Sequence, residues 1–326
     1  MGTRQLDGIE RGLLQALQID GRVAFLLVGE LLGVSDQTVA RRYARLRTAH
    51  GVRVTGSLWA EAVGEQQWLV RVRCAPEAAA GLARALARQD DTSWVRVASG
   101  GAEIVCMARL AADASAEEHA VLSRLPRTPR VTEVSAHCVL HIFFGGRGSL
   151  LSKIEPLSEE QLARLRPPAV EPTAGAGAVA LSAGDQRLVA ALRQDGRTGY
   201  RQLAAATGWS QTTVRRRVAE LRRAGVLYFD VDIDHTLLGL HTPASLWLSV
   251  EPGRLVDAGE ALARHSEVGF AAATTGAYNL YAGVVCGSTR ALYEYLTGPI
   301  AALPGLRSVE TAPIMRIFKQ NSPVAE

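Results

Sequence analysis

Residues 33–47 read GVSDQTVARRYARLR, and residues 208–222 read GWSQTTVRRRVAELR. The two stretches align without a gap at a shift of 175 positions, since 208 − 33 = 175. Each begins at a glycine, continues through a serine that can cap a helix, and then carries arginines interleaved with apolar residues. A glycine-containing turn followed by a capped basic helix is typical of a helix-turn-helix. We therefore predict a DNA-reading helix twice in one chain.

The repeat extends upstream of both stretches. Asp20-Gly21-Arg22 aligns with Asp195-Gly196-Arg197 at the same shift, and each tripeptide follows apolar residues at helical spacing. Because glycine is a natural helix stop, we expect a first helix to end there. The six predicted helices run approximately over Gly8–Gln18, Leu27–Leu32, Ser35–Thr48, Gly184–Gln194, Tyr200–Thr207 and Ser210–Arg223.

Alternating apolar and polar residues follow each helix-turn-helix and predict strands. The predicted strands are Trp68–Cys74, Trp94–Ala98, Glu103–Leu110, Val131–Phe144, Ser245–Val250, Gly269–Thr275, Leu280–Cys286 and Val309–Phe318. The predicted helices between them are Glu77–Arg88, Ala116–Leu125, Arg254–His265 and Thr289–Ala302. The order β-α-β-β-α-β is the ferredoxin-like arrangement, and its free sheet face suits dimerisation.

The predicted fold class is therefore α+β, with two copies of one domain pair. Each pair is a three-helix winged helix-turn-helix domain followed by a ferredoxin-like domain of the dimeric α/β-barrel type. We expect helix-turn-helix domains at 1–60 and 181–234 and effector or oligomerisation domains at 61–150 and 235–326. Residues 151–180 are expected to form a linker with a short helix capped by Ser158, since Pro and Gly dominate after Arg166. With both copies in one chain, they can pair as an internal pseudo-dimer.

The start of each predicted reading helix supplies residues that recognise DNA. Gln and Arg can contact adenine and guanine bidentately, and further arginines suit phosphates. The candidate DNA-binding residues are Gln37, Thr38, Arg41, Arg42, Arg45, Ser210, Gln211, Thr212, Thr213, Arg215, Arg216 and Arg217.

Charge differs between the two copies. Residues 6–52 hold six arginines and five acidic residues, a net +1, whereas residues 181–226 hold nine arginines and three acidic residues, a net +6. Because phosphate neutralisation dominates DNA affinity, we predict stronger binding by the second copy. Asp36 at the start of the first reading helix would repel phosphate.

Composition excludes several other classes of protein. The chain is 48% hydrophobic and 21% charged, as expected for packed cores, and no apolar run approaches the roughly 18 residues that span a membrane. Its four cysteines form no Cys-x-x-Cys pair, so we expect buried free thiols and a soluble, cytoplasmic protein. We expect no catalytic residues, no metal and no cofactor. His137 and His141 would lie roughly 13 Å apart on one strand, which favours interface or solvent positions over a metal site.

These motifs together resemble the Lrp/AsnC family of transcriptional regulators, over nearly the whole chain and twice. The residues that carry the resemblance are Asp20–Arg22 and Asp195–Arg197, Gly33–Ser35 and Gly208–Ser210, Arg41-Arg42 and Arg216-Arg217, Ala224–Val226, and Thr275–Leu280. At the last of these the family usually has Thr-Gly-x-Tyr-Asp-Leu.

The resemblance implies partners for this chain. It implies duplex DNA, homo-oligomers paired through the ferredoxin-like sheets, and a small effector, commonly an amino acid, at a dimer interface. Carried over to this chain, the effector candidates are Thr275, Gly276, Tyr278 and Asn279. Two departures stand out: Asn279 replaces the family's Asp and so lacks a charge for an ammonium group, and the first copy has Ser99–Glu103 there, without Tyr.

Two other functions share this pattern. Sirohaem decarboxylases resemble the same family and also occur as fused two-copy chains, but such an enzyme would present His and Arg near a tetrapyrrole, and Ala282–Cys286 contains no His. A ligand-binding module that has lost DNA binding is favoured if Arg215–Arg217 pack against the protein.

Overall fold

The computed structural model describes residues 5–111, 125–146, 148–154, 156–166 and 178–321. Contacts divide the chain into two compact units. The first unit is drawn from Met1–Gly64 and Gly146–Leu238, and the second from Glu65–Gly145 and Gly239–Glu326. Each unit therefore collects matching segments from both copies of the repeat. None of the helices in these ranges combines the length and the apolar character that a bilayer crossing needs.

The first unit contains both helix-turn-helix segments. Its elements are α1 (Gly8–Ile19), α2 (Phe25–Leu32), α3 (Asp36–His50), β1 (Arg53–Leu58), α5 (Glu159–Leu165), α6 (Ala183–Gln194), α7 (Tyr200–Thr207), α8 (Gln211–Arg223) and β6 (Leu227–Asp232). The predicted serine caps are confirmed. The Oγ of Ser35 accepts a hydrogen bond from the backbone N–H of Thr38 at 3.2 Å, and the Oγ of Ser210 accepts one from the N–H of Thr213 at 3.1 Å. Ser158 caps α5 as predicted.

Strands β1 and β6 were not among the strands predicted from alternation. They pair antiparallel, from Arg53 opposite Asp232 to Leu58 opposite Leu227. Nearly every residue in both strands is buried, so neither shows the period of two that marks a half-buried strand. The pairing joins the first copy to the second within this unit.

The second unit is a closed barrel with helices packed on its sheets. Its elements are β2 (Glu65–Cys74), α4 (Pro76–Ala87), β3 (Thr92–Ala98), β4 (Glu103–Ala111), β5 (Val131–Phe144), β7 (Thr242–Val250), α9 (Leu255–Arg264), β8 (Val268–Thr274), β9 (Leu280–Cys286), α10 (Thr289–Tyr295) and β10 (Leu306–Ile317). The order around the barrel is β10-β3-β4-β2-β5-β8-β9-β7. Each copy supplies four adjacent strands, which confirms the ferredoxin-like fold of the dimeric α/β-barrel type.

Barrel closure changes one prediction about partners. The sheet pairing expected between two chains takes place inside this chain, because β5 pairs with β8 and β10 pairs with β3. The inner faces of both sheets are also covered, because Leu69 and Met107 of the first copy pack in one cluster with Trp247 and Tyr281 of the second. The two copies form the internal pseudo-dimer that tandem duplication suggested.

One predicted helix of the barrel unit ends earlier than expected, and another falls mostly outside the described residues. The helix predicted over Thr289–Ala302 ends as α10 at Tyr295 and continues as a single π turn, Leu296–Ile300, which contains Pro299. Proline has no N–H to donate, so the regular α pattern stops there. The helix predicted over Ala116–Leu125 lies outside the described residues up to 124.

The barrel unit contains separate apolar cores. One lies between the first copy's sheet and α4, and another between the second copy's sheet and α9 and α10. A third cluster combines residues of both copies, including Leu69, Met107, Trp247 and Tyr281. All four cysteines are buried and free, as predicted, and burial raises the pKa of the Cys106 thiol to about 12.

Candidate nucleic-acid interface and effector turn

The start of each reading helix faces solvent. Gln37 and Arg41 on α3 are exposed, as are Gln211, Thr212 and Arg215 on α8. The guanidinium carbon of Arg215 lies 5.1 Å from the centroid of the Tyr200 ring. The side chain of Arg216 is 72% exposed and lies 3.5 Å from Glu220. These residues present hydrogen-bonding groups where a recognition helix meets base edges.

Three of the predicted contacts build the helix caps. The hydroxyl oxygens of Ser210 and Thr213 lie 2.9 Å apart, and those of Ser35 and Thr38 lie 3.0 Å apart. Thr38, Ser210 and Thr213 therefore hold the start of the reading helices in place. Whether they also contact DNA stays a prediction.

Arg42 and Arg45 have a role that the sequence did not indicate. Arg42 pairs with Asp7, and Nη2 of Arg45 lies 2.5 Å from Oε1 of Glu10, whose side chain has 0% exposure. A buried carboxylate is stable only when a partner offsets its lost hydration, so these two arginines are committed to α1. Phosphate contact by them stays untested.

Arg217 repeats this arrangement in the second copy. Its Nε and Nη2 donate to the two carboxylate oxygens of Asp185 on α6, at 2.7 and 3.1 Å. Burial alone would raise the pKa of Asp185, but Arg217 and Ser182 lower it below its ordinary value of 3.8. Asp185 in turn raises the pKa of Arg217. Of the cluster Arg215–Arg217, two arginines face solvent and the third packs against the protein.

The repeated Asp-Gly-Arg tripeptides hold the two copies together through a reciprocal inter-copy contact. Arg22 donates to the carbonyl oxygens of Gly196 and Thr198 at 2.6 and 3.0 Å. Arg197 donates to those of Gly21 and Val23 at 2.8 and 3.0 Å. Matched residues exchange matched bonds, as expected of a two-fold relation between the copies.

Ion pairs and close packing complete this inter-copy contact. Arg47 pairs with Asp195 at 2.9 Å, and the equivalent Arg222 pairs with Asp20 at 2.8 Å. A Cβ on Gly21 would lie 2.5 Å from the Cβ of Phe229, so no larger residue fits. Sequence reasoning took the tripeptide as a helix stop and missed this role. The signal was its identity in both copies, arginine included.

The candidate effector turn connects β8 to β9. Thr275 exchanges two 2.9 Å hydrogen bonds with Cys138 of β5: its N–H donates to the Cys138 carbonyl, and its Oγ1 accepts from the Cys138 N–H. Gly276 has φ +104°, and a Cβ there would lie 2.5 Å from Nδ1 of His137. The turn is thus held by the other copy of the repeat, which places Thr275 and Gly276 at the exposed seam between copies.

Asn279 and Tyr278 are held differently from Thr275. The amide of Asn279 accepts from the N–H of Val250 and donates to its carbonyl, both at 2.9 Å. This side chain therefore fixes the turn to β7, a structural role that the sequence did not indicate, and effector contact by it stays untested. Tyr278 hydrogen-bonds to Glu310, which raises the pKa of the tyrosine.

A charged cluster that sequence reasoning missed lies next to Tyr278. Arg71 pairs with Glu103 at 2.8 Å and also with Glu310, and its guanidinium carbon lies 5.2 Å from the centroid of the Trp247 ring. The hydrogen bond from Arg71 lowers the pKa of Glu310. Arg71 and Trp247 are equivalent positions, each five residues before the proline that follows its strand. One copy therefore supplies the cation and the other the ring.

Comparison with known proteins agrees with this geometry. The AsnC-type helix-turn-helix domain matches residues 6–47 and 181–222, and the Lrp/AsnC ligand binding domain matches residues 244–324. Regulatory protein AsnC of Escherichia coli K12 is 31% identical over 144 residues, which cover 41% of this chain and 93% of that protein. This chain belongs to the Lrp/AsnC family.

The family assignment has further support. An uncharacterized HTH-type transcriptional regulator of Pyrococcus furiosus is 30% identical over 136 residues, covering 41% of this chain and 92% of that relative. A relative spans less than half of this chain because the chain carries the Lrp/AsnC domain pair twice. This chain is thus an Lrp/AsnC-type transcriptional regulator in a tandem two-copy form.

One solved structure resembles the chain over nearly its full length. The siroheme decarboxylase NirDL superposes with a TM-score of 0.63 at 14% identity, covering 96% of this chain and 93% of that one. At this identity the likeness concerns the fold alone.

Proposed function

We propose that this Lrp/AsnC-type regulator binds duplex DNA specifically through two helix-turn-helix units carried by one chain. We further propose that a small metabolite such as an amino acid, bound at the effector turn, changes that affinity. The observation that supports this best is the reciprocal inter-copy contact, which fixes two reading helices as a pair. Such a protein would act in the cytoplasm, on DNA.

Exposed side-chain chemistry supports the DNA part. Gln211 offers the paired donor and acceptor that match adenine, and Arg215 offers the fork that matches the O6 and N7 of guanine. Arg216 adds a cation that faces solvent. These three side chains lie within the first two turns of α8, the part of a recognition helix that enters the major groove.

The position of the effector turn supports the proposed binding of a small metabolite. Thr275 and Gly276 are exposed where β8 meets β5 of the other copy, so a ligand there would touch both halves of the barrel. A ligand that prefers one arrangement of the halves shifts the DNA affinity by the ratio of its two affinities. Because the inner sheet faces are already paired, any homo-oligomer of this protein would use other surfaces.

The DNA part is tested by fluorescence anisotropy. The purified chain is titrated against a labelled duplex from upstream of its own gene, at several salt concentrations, with excess random duplex present. We expect binding that survives the competitor and weakens steeply as salt rises. Binding no tighter than to random DNA, for this duplex and for neighbouring promoter duplexes, would contradict the proposal.

The effector part uses the same titration with each amino acid added in turn. One of them is expected to shift the binding curve of the parent, and Thr275→Ala is expected to abolish that shift. Ser266→Ala, an exposed hydroxyl on the barrel unit away from this turn, is the matched control and should keep it. A shift that survives Thr275→Ala would move the effector site elsewhere.

The full-length likeness in fold keeps a sirohaem-decarboxylase-like enzyme as a second candidate. It is tested by adding an iron tetrapyrrole and recording the visible spectrum. We expect no new Soret-region band that saturates with protein. A saturable band together with absent DNA binding would favour the enzyme.

A further inference from the structure

The two helix-turn-helix units are joined as matched partners, yet their reading surfaces differ at equivalent positions. From this we infer that the chain recognises a non-palindromic duplex with two unlike half-sites, of which the second copy binds its own more tightly. The inference rests on the proposed DNA binding and specifies the partner.

A two-fold relation joins the frames of the two helix-turn-helix units. A homodimeric regulator presents two identical reading helices, and its operator repeats the same half-site because it mirrors the two-fold of the protein. Here the frame keeps that relation, since Arg22 and Arg197 exchange equivalent bonds and β1 pairs antiparallel with β6. The reading residues that this frame carries differ between the two copies.

The first turns of α3 and α8 differ in what they can recognise. At the first position Asp36 can accept from the amino group of cytosine, whereas the equivalent Gln211 matches adenine. One turn later Ala40 can only touch a thymine methyl, whereas the equivalent Arg215 matches guanine. If the two half-sites had the same sequence, the reading residues of at least one copy would not match the bases that they face.

The reading surface of the second copy is also more basic and more polar than that of the first. Arg201 at the start of α7 is exposed, and its equivalent in α2 is Leu26, which is 63% exposed. Asp36 is exposed and repels phosphate, while the second copy has no acidic residue in the first turn of its reading helix. The second half-site should therefore contribute more of the affinity and of the salt dependence.

The frame would accept an exchange of these residues. Arg215 lies 5.1 Å from the ring of Tyr200, and the residue equivalent to Tyr200 in the first copy is Phe25. The two rings are held alike, since Arg22 lies over Tyr200 at 4.7 Å and Arg197 over Phe25 at 4.3 Å. An arginine introduced at position 40 would thus find an aromatic ring in the matching place. Both helices are capped by a serine in the same way, so the exchange leaves the helix start unchanged.

The test is selection of binding sites from a random-sequence duplex library with the full chain. We expect an enriched site with two unlike half-sites at a fixed spacing. Two like half-sites, or one half-site alone, would overturn the inference while leaving DNA binding intact. No enriched sequence at all would remove the proposed function, and this inference with it.

Exchange of the reading residues between the two copies provides a second test. The triple variant Asp36→Gln, Gln37→Thr and Ala40→Arg gives the first copy the reading residues of the second. It should select two like half-sites and bind that duplex about tenfold more tightly than the parent does. Ala49→Arg, which adds a positive charge at the far exposed end of α3, is the control and should select the parent's site. Circular dichroism verifies folding, and a folded triple variant that still selects the parent's site would overturn the inference.

Discussion

The two helix-turn-helix units share a frame and differ at the surface. Both keep Asp-Gly-Arg and the capping serine, and in both an arginine of the reading helix pairs with an acid on the first helix of the same copy, Arg45 with Glu10 and Arg217 with Asp185. They differ where side chains face solvent, as Asp36 against Gln211 shows. Positions that join the copies are therefore fixed by packing, whereas exposed positions are free to specialise.

The barrel copies show the complementary case, in which matched buried positions have diverged together. Arg71 of the first copy lies over Trp247, its equivalent in the second, and two such arginines facing each other would repel. The pair therefore favours the first copy meeting the second over two first copies meeting each other.

Removing the buried cation should have the largest effect. Arg71→Met leaves Glu103, which is 3% exposed, without its partner, so the free energy of unfolding should fall by about 3–5 kcal/mol. Denaturant unfolding measures this. Arg130→Met is the control, because Arg130 pairs with Glu77 at the exposed surface away from the cluster, and it should cost about 0–1 kcal/mol. Equal costs for both variants would refute the account of the cluster.

The Asp185–Arg217 pair should make the first unit sensitive to acid. Because the pKa of Asp185 is lowered below 3.8 in the folded protein, its contribution is present above about pH 4 and is lost as pH falls through the folded pKa. Asp185→Asn should cost about 1–3 kcal/mol at pH 7 and progressively less towards pH 3. Unfolding at both pH values measures the difference.

Asp7→Asn provides the contrast for that experiment. Asp7 pairs with Arg42 but its side chain is 46% exposed, so solvent screens the pair. The cost should stay below about 1 kcal/mol at pH 7. A cost for Asp185→Asn that does not change between pH 7 and pH 3 would show that the charge of Asp185 is irrelevant.

The acidic residue at the first reading helix should have the smallest effect. Asp36→Asn removes a charge that repels phosphate, so affinity for random duplex should rise about two- to fivefold at low salt. Gln211→Asp, the reverse change at the equivalent position, should lower it by a similar factor. The comparison fails if both variants bind random duplex as the parent does.

Sequence patterns predicted the features that depend on short stretches of chain. Serine caps, helix periodicity and strand alternation located the helix-turn-helix units and the ferredoxin-like strands, because each signal spans a few residues. Strands β1 and β6 were not predicted, because burial on both faces removes the alternation of apolar and polar residues.

Contacts between residues that lie far apart in the sequence could not be predicted from it. Arg71 meets Glu310 across 239 positions, and nothing near either residue marks the pairing. Arg217 looked like a phosphate contact because no local pattern shows that Asp185 on α6 faces it. The sequence therefore located the candidate reading helices but did not show which of their arginines are committed to the protein itself.

If one chain carries two unequal DNA readers, of which the second dominates, the same substitution in each reading helix should have unequal effects. The comparison uses anisotropy titrations of the selected duplex, at one salt concentration, with Arg216→Ala and Arg41→Ala. These are equivalent exposed arginines, 175 positions apart since 216 − 41 = 175. We expect Arg216→Ala to weaken binding more than Arg41→Ala. Equal losses, or a larger loss for Arg41→Ala, would contradict it.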